Sequence, residues 1–230
     1  MAGSAFESLQ RELVGCRACP RLVEWRERVA REKRAAFREQ EYWGRPVPAF
    51  GDPGARILVV GLAPAAHGAN RTGRMFTGDR SGDWLYRALD RAGLASQPTS
   101  TGRADGLELD GVLITAAVRC APPANKPTPE ERDSCRRWLE RELDALDGVR
   151  VIVALGGLAY AQVLRILHDR GLTVPRPRPR FGHRVEVDLD DGLTVLASYH
   201  PSQQNTFTGT LTEEMFDRVW SRARELAGDE

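Results

Sequence analysis

Four short, almost continuous apolar runs divide this chain, and stretches with helical periodicity separate them. The runs are Arg56 to Gly61, Val112 to Val118, Val149 to Leu155 and Leu193 to Ser198. A continuous apolar run of this length is typical of a strand that is buried on both faces of a sheet. Residues 185–189 form a weaker run, which could pair with the last of these strands.

Helical spacing of apolar residues lies between and after the predicted strands. It covers residues 83–92, 128–146, 158–170 and 212–227. Thr128 followed by Pro129 and Glu131 is a typical helix start, with threonine as the N-cap and proline at the first helical position. Residues 5–40 carry dense alternating charge and few turn residues, which predicts a solvated helical segment. Alternating strands and helices indicate an open parallel sheet that is covered by helices on both sides.

The length of 230 residues favours one domain over residues 1–230, because a chain of this size buries a single sizeable core. Residues 1–50 are expected to form a helical segment packed on it. An apolar fraction of 41% and a charged fraction of 28% exclude a disordered, collagen-like or disulfide-packed chain.

The longest apolar stretch, Ile57 to Ala66, is far shorter than the roughly 20 residues of a spanning helix. Residues 1–15 lack a signal-peptide pattern, so we expect no membrane contact and a cytoplasmic location.

The net charge of +1 hides an uneven distribution of acidic residues. No Asp or Glu occurs in four windows, residues 53–78, 111–129, 170–185 and 192–212. Ligands of open α/β sheets bind outside the carboxyl ends of the strands, and three of these windows contain loops that leave strands. If the four windows meet in space, they form one acid-free face. The window at residues 170–185 is Pro-rich and basic, so it is either a stiff solvated connection or a contact for a phosphate backbone.

Four cysteines, the only ones in the chain, form two pairs, Cys16 with Cys19 and Cys120 with Cys135. The first pair has the C-x2-C spacing of metal ligands, whereas the C-x14-C spacing of the second departs from the usual zinc-ribbon pattern. Four unrelated buried thiols are one interpretation. The other is a four-thiolate centre, with either structural zinc or an iron–sulfur cluster. Such a centre would staple the N-terminal helical segment to the strand that ends before Cys120.

Two loops that follow predicted strands contain candidates for chemistry. Residues 61–79 are rich in Gly, Ala and small polar residues, so their backbone can approach a ligand closely, but no Gly-Lys-Ser/Thr makes them a P-loop. This loop ends with Phe76 and Asp79, and an aspartate at the entry to a helix is most often an N-cap or turn residue. The second loop places His200 directly after a strand. A lone histidine is more often structural, but the carboxyl end of a strand favours a function.

In combination, these motifs resemble the uracil-DNA glycosylase superfamily, and specifically its iron–sulfur members. The motifs are the C-x2-C pair, Gly61 to Pro64 after the first strand, the C-x14-C pair and His200-Pro201-Ser202. Gly61 to Gly68 resembles the family 5 version of the first loop. The closely related family 4 carries an acidic residue where Leu62 stands and an asparagine where Ala116 stands. The resemblance implies a three-layer αβα fold around a central, mainly parallel four-stranded sheet.

The resemblance also implies an activity, in which a monofunctional glycosylase flips a damaged nucleotide out of DNA and hydrolyses its N-glycosidic bond. His200 would donate a hydrogen bond to the charge that develops on the leaving base. Asp79 would position water or stabilise the sugar cation, and Phe76 would stack on the base. The other implied substrate contacts are Gly61, Ala63, Pro64, His67, Asn125, Ser202 and Asn205, with a DNA wedge at residues 203–207.

With no acidic residue at Leu62 and no amide at Ala116, the resemblance implies a wide substrate range. Uracil, hypoxanthine and xanthine are the expected substrates, in double-stranded and single-stranded DNA. The protein is expected to be a monomer near the nucleoid of a prokaryote. Its four cysteines are expected to hold a structural 4Fe–4S cluster. Two other classes remain open. One is a metal-stapled nucleic-acid-binding module without catalysis. The other, a redox iron–sulfur protein, has less support because the chain carries no dinucleotide fingerprint.

Overall fold

Strands and helices alternate in the computed structural model, which describes residues 2–190 and 192–228. The strands are β1 (Phe50–Gly51), β2 (Ile57–Gly61), β3 (Val112–Ala116), β4 (Val151–Leu155), β5 (Glu186–Asp188) and β6 (Thr194–Ser198). The helices are α1 (Ala2–Val14), α2 (Pro20–Glu32), α3 (Ala69–Thr72), α4 (Arg80–Arg91), α5 (Pro129–Ala145), α6 (Gly157–Asp169), α7 (Gln203–Phe207) and α8 (Glu213–Ala227). Short 3₁₀ helices lie at Ala35–Phe37 and Pro123–Asn125. No helix of the described residues is long and apolar enough to cross a membrane.

The strands form one mixed sheet in the order β1-β3-β2-β4-β6-β5. The four central strands are parallel and coincide with the four predicted apolar runs. The prediction of a four-stranded sheet is wrong at the edges, because β1 and β5 each add an antiparallel strand. Strand β1 has only two residues, Phe50 and Gly51, so it leaves no hydrophobic pattern to detect. Strand β5 lies within the weaker run at residues 185–189 and pairs with β6, as that run suggested.

Each face of the sheet has its own apolar core, because successive side chains of a strand point to opposite faces. Ile57 and Val59 of β2 belong to the core that includes Trp220 of α8 and residues of α4. Leu58 and Val60 belong to the core shared with α5 and α6. Since both faces are covered, the central strands must be apolar at every position. The layers are therefore helix, sheet and helix, and the carboxyl ends of the four parallel strands emerge along one edge.

The N-terminal segment is helical, as the charge pattern of residues 5–40 predicts, and it consists of two helices and a 3₁₀ helix. The break between α1 and α2 contains the first cysteine pair. Leu13 of α1 and Leu22 of α2 are buried in a third, small core with Trp138 of α5. Because the apolar positions of this segment are few and lie among charged residues, the sequence pattern predicts its solvated face but not its buried contacts.

A buried ion pair between Arg119 and Glu142 connects the segment after β3 to α5, and their side chains are 1% and 0% exposed. Thr115 Oγ1 donates a hydrogen bond to Glu142 Oε2 over 2.7 Å, and Gln10 Nε2 of α1 donates to Oε1 over 2.7 Å. Arg119 Nη1 also donates to the carbonyl oxygen of Val47 over 3.3 Å. A buried pair is favourable only when further hydrogen bonds surround it. This network therefore fixes α1, β3 and α5 relative to one another.

Candidate active site

A pocket of about 480 Å³ opens at the carboxyl ends of β2, β3 and β6. Its walls come from the loop after β2, the end of β3, the 3₁₀ helix at Pro123–Asn125 and the segment after β6. The lining includes eight of the ten predicted catalytic and substrate-binding residues, namely Gly61, Ala63, Pro64, Phe76, Asp79, Asn125, His200 and Ser202. Three of the four acid-free windows therefore meet around one cavity.

The fourth acid-free window, residues 170–185, lies beside the same edge of the sheet. The Phe181 ring is 6.0 Å from the Tyr199 ring, and Tyr199 directly precedes His200 in the chain. A Cβ atom added to Gly157, at the start of α6, would stand 3.3 Å from the Phe181 ring. The four windows therefore meet as the expected acid-free face, which borders a pocket whose lining includes the Asp79 carboxylate.

Phe76 forms part of the pocket wall in a conformation that the neighbouring glycines permit. Its backbone has a φ of 51°, which is uncommon for a residue with a side chain. A Cβ atom on Gly61 would lie 2.8 Å from Phe76 Cζ, and one on Gly82 would lie 1.6 Å from the Phe76 carbonyl oxygen. Both glycines are therefore required for this ring to lie over the end of β2.

Asp79 is both the N-cap of α4 and part of the pocket wall, so its structural role is compatible with the predicted functional one. Its Oδ1 accepts a hydrogen bond from the backbone N–H of Gly82 over 3.1 Å. Its Oδ2 approaches Gly68 so closely that a Cβ atom there would stand 2.2 Å away. Burial raises the pKa of Asp79 above its usual range, although the backbone N–H groups of Gly82 and Ser81 oppose that shift.

His200 also belongs to the pocket lining, and its ring lies 5.9 Å from the Phe76 ring at an angle of 30°. Asn205 Nδ2 donates a hydrogen bond to the carbonyl oxygen of His200 over 2.9 Å. The ring keeps some surface open to the pocket, but the surrounding protein is dense enough that burial lowers the pKa of His200 to about 4. At neutral pH the imidazole is therefore uncharged and offers one N–H donor.

The two predicted contact residues outside the pocket lining are His67 and Asn205. The Nδ1 atom of His67 lies 3.1 Å from the hydroxyl oxygen of Tyr42 in the N-terminal segment. Asn205 supports the backbone of His200, as described above. In the described structure both residues shape loops of the site, and their contact with a substrate stays a prediction.

Sequence reasoning missed several residues that line or support the pocket. Arg80 and Ser81 belong to the lining and were not predicted, whereas Gln203 and Gln204 of the lining fall in the segment that was predicted as the DNA wedge. The Arg80 guanidinium lies 4.2 Å from the centre of the Phe207 ring, and Phe207 is 62% exposed. One sequence feature could have indicated Arg80, namely its position directly after Asp79 at the start of a helix.

Arg71 is a second residue that the motifs did not indicate. It is buried, and its side chain donates to the carbonyl oxygens of His67 and Gly78 over 2.8 and 3.1 Å. It also donates to Gln40 Oε1 over 2.6 Å. This guanidinium therefore holds both ends of the loop that carries Phe76, a role that no local sequence pattern reveals.

The four cysteines line one cavity between the start of α2, the segment after β3 and α5. Cys120 Sγ accepts a hydrogen bond from Arg26 Nη1 over 2.8 Å, and Cys135 Sγ accepts one from the backbone N–H of Arg119 over 3.3 Å. Burial raises the pKa of Cys120 to about 11 and that of Cys135 to about 12. Among the described residues, no group of three or more His, Cys, Asp or Glu is arranged to hold a metal ion.

Comparison with known proteins identifies the family. Residues 48–224 match the model of the uracil DNA glycosylase superfamily. The "Type-5 uracil-DNA glycosylase" of Mycobacterium tuberculosis is 56% identical over 230 residues, which are 100% of this chain and 84% of that protein. The protein of the same name from Thermus thermophilus is 55% identical over 222 residues, 96% of this chain and 98% of that protein. A "Type-4 uracil-DNA glycosylase" from Archaeoglobus fulgidus is 31% identical over 184 residues, 79% of this chain and 82% of that protein.

These matches confirm the resemblance to family 5 and the more distant relation to family 4 that the motifs indicated. The chain therefore belongs to the uracil DNA glycosylase superfamily.

Proposed function

We propose that this protein is a DNA repair glycosylase that hydrolyses the N-glycosidic bond of uracil in DNA and leaves an abasic site. The observation that carries the proposal is the presence of Phe76, Asp79 and His200 in one pocket at the carboxyl ends of the strands. A stacking surface, a carboxylate and a neutral donor are the groups that this reaction requires. The names of the most similar relatives support the same activity.

The pocket accommodates a base that has been flipped out of the DNA stack, at a cost of a few kcal/mol that is least for a mispaired base. Phe76 stacks on the base. As the N-glycosidic bond lengthens, negative charge develops on the base, and the N–H of neutral His200 donates to it. One such donor contributes roughly a hundredfold or more to the rate.

Asp79 acts on the other side of the breaking bond, where the sugar becomes an oxocarbenium-like cation. Its buried carboxylate, when ionised, stabilises this cation or orients the water that attacks it. Low local polarity strengthens such an interaction compared with bulk water. Leu62 and Ala116 are apolar members of the lining, so Asp79 takes the role of the acidic residue that family 4 has at the position of Leu62.

The apolar side chains of Leu62 and Ala116 also leave the pocket with few groups that select one base. We therefore extend the proposal to hypoxanthine and xanthine, with Asn125 as an exposed amide at the edge of the pocket. Double-stranded and single-stranded DNA are the proposed partners, and the protein acts as a monomer. The exposed Phe207 of α7 is the candidate for the wedge that fills the gap left by the flipped base.

We further propose that Cys16, Cys19, Cys120 and Cys135 hold a structural 4Fe–4S cluster. Four sulfur donors share one cavity, and hydrogen-bond donors reach three of them. Such a centre requires thiolates, and a bound metal holds buried thiols in that form despite their raised pKa. Zinc is the alternative, and iron content with absorbance near 400 nm distinguishes the two.

Single-turnover cleavage of a duplex with one uracil tests the activity and separates it from the alternative of a non-catalytic binding module. We expect abasic sites with the wild-type protein and a rate that falls roughly a hundredfold or more in both Asp79→Asn and His200→Asn. Asp147→Asn and His168→Asn, at exposed positions, are matched controls and should retain the wild-type rate. DNA binding without abasic sites would favour the binding module, and wild-type rates in the two pocket variants would contradict the assigned roles.

A further inference from the structure

The guanidinium of Arg26 is buried against the cysteine cavity, and the proposed glycosylase chemistry does not use it. Its side chain is 2% exposed. Nη1 donates to Cys120 Sγ over 2.8 Å and Nη2 donates to the carbonyl oxygen of Cys16 over 3.1 Å. Nε is buried and has no hydrogen-bond partner. Arg26 therefore places a full positive charge beside two of the four cysteines.

This charge has no dedicated carboxylate among the described residues. Glu27 Oε1 is 3.9 Å from Arg26 Nη2, but the Glu27 side chain is 33% exposed and is already bound by Arg17. The other buried arginine near the cysteines, Arg119, pairs with Glu142. A buried charge without a partner is strongly destabilising. The position of Arg26 is consequently more favourable when the cavity itself carries negative charge.

We propose that Arg26 is the counter-charge of an anionic four-thiolate centre at Cys16, Cys19, Cys120 and Cys135. This inference rests on the proposed metal centre and is independent of the glycosylase activity. Four thiolates carry more negative charge than the zinc ion or the cluster core that they hold, so the loaded site attracts a buried cation. Arg26 then stabilises the loaded protein and destabilises the metal-free one. A role in packing alone would affect both forms equally.

Arg26 donates a hydrogen bond to Cys120, a proposed metal ligand, so its effect on metal retention should resemble that of other partners of metal ligands. Replacement of outer-shell partners of metal ligands typically weakens metal retention by about 10- to 100-fold. Arg137 Nη2 is also within reach of a cysteine, at 3.5 Å from Cys16 Sγ, but Arg137 is exposed and its charge is solvated. Arg26 should therefore have the larger effect on the site.

The test compares Arg26→Met, which removes the charge and keeps much of the side-chain volume, with Arg26→Lys, which keeps the charge. Arg31→Met is the matched control, because Arg31 is an exposed residue of the same helix. The first measurement is the rate at which a chelator removes iron or zinc from each purified protein. The second is thermal unfolding of the loaded and the metal-free forms.

We expect metal loss about 10- to 100-fold faster in Arg26→Met than in the wild type, with a smaller effect in Arg26→Lys. Metal-free Arg26→Met should unfold at a higher temperature than the metal-free wild type, since it no longer buries an unpaired charge. Arg31→Met should behave as the wild type in both measurements.

Two results would overturn this inference without affecting the metal centre. One is an equal rate of metal loss in Arg26→Met and the wild type. The other is equal destabilisation of the loaded and the metal-free forms by Arg26→Met. If Arg26→Met does not fold, Arg26→Gln takes its place in both measurements, because it also removes the charge, and the same two results would overturn the inference. A wild-type protein purified with neither iron nor zinc would overturn the metal centre together with this inference. The abasic-site assay would still report on the glycosylase activity.

Discussion

At the scale of single residues, one physical cause acts on the two central groups of the pocket in opposite directions. Burial disfavours the charged form of any side chain, so it raises the pKa of Asp79 and lowers that of His200. His200 is consequently a neutral donor over the physiological range. Asp79 is a carboxylate whose charge is poorly solvated, and it therefore interacts strongly with a developing cation.

The pH dependence of single-turnover cleavage tests this arrangement. A histidine with an ordinary pKa is half-protonated near pH 6.5, whereas His200, with a pKa of about 4, should stay neutral until the pH approaches that value. Asp79 has a raised pKa, so the wild-type rate should fall with decreasing pH as Asp79 becomes protonated. In Asp79→Asn this decline should disappear, and the residual rate should stay level from pH 8 to about pH 5.

A decline centred near pH 6.5 in Asp79→Asn would contradict the buried, neutral state of His200. His168→Asn is the control, because His168 is exposed and far along α6 from the pocket lining.

Eight of the ten predicted site residues line the pocket, because the motifs that contain them lie at the ends of strands. The sequence could not show where each side chain points. His67 lies within the same loop motif as Gly61 and Pro64, yet its ring contacts Tyr42, which is 25 residues earlier in the chain. Arg71 supports the loop through contacts with Gln40 and Gly78, and such contacts depend on the folded chain rather than on local spacing.

At the scale of secondary-structure elements, the site depends on how precisely the ends of the parallel strands are held. The hydrophobic pattern predicts β2, β3, β4 and β6 well, because strands covered on both faces are apolar throughout. It does not predict β1, which pairs with β3 through two residues. The hydrophobic pattern also does not predict the buried ion pair of Arg119 and Glu142, since a charged pair in a core has no periodic signature.

Removing one partner of this network should destabilise the fold strongly. Glu142→Leu leaves the Arg119 guanidinium buried and unpaired, and we expect a loss of about 3–5 kcal/mol in the free energy of unfolding. The double variant Arg119→Met/Glu142→Leu should recover most of that loss, because it removes both charges. Urea unfolding measures both effects.

Glu214→Leu is the control for that experiment, since its ion pair with Arg218 on α8 is exposed and should contribute less than about 1 kcal/mol. If the double variant were as unstable as Glu142→Leu, the loss would come from packing rather than from an uncompensated charge.

At the scale of the whole molecule, the distribution of acidic residues matters more than the net charge of +1. The acid-free windows surround the pocket, and the basic window at residues 170–185 flanks it through the contact between Phe181 and Tyr199. A small net charge together with one acid-free face predicts modest, salt-sensitive affinity for undamaged DNA.

Binding of undamaged duplex DNA at several salt concentrations tests the orientation of this face. Arg180 is exposed and adjoins Phe181, so Arg180→Glu should weaken binding and reduce the slope of log K against log salt by about 1. Arg218→Glu, an equal change of charge on α8, should leave that slope close to the wild-type value. Equal effects of both variants would indicate a response to net charge rather than a phosphate contact.

The glycines around the pocket limit how such a protein can diverge. Gly61, Gly68 and Gly82 each lie against Phe76 or Asp79 so closely that any side chain there would displace a wall of the pocket. Leu62 and Ala116, in contrast, already carry side chains in the lining. Changes of base preference are therefore expected at these two positions rather than at the glycines, which makes this pair the starting point for redesigning the specificity of the pocket.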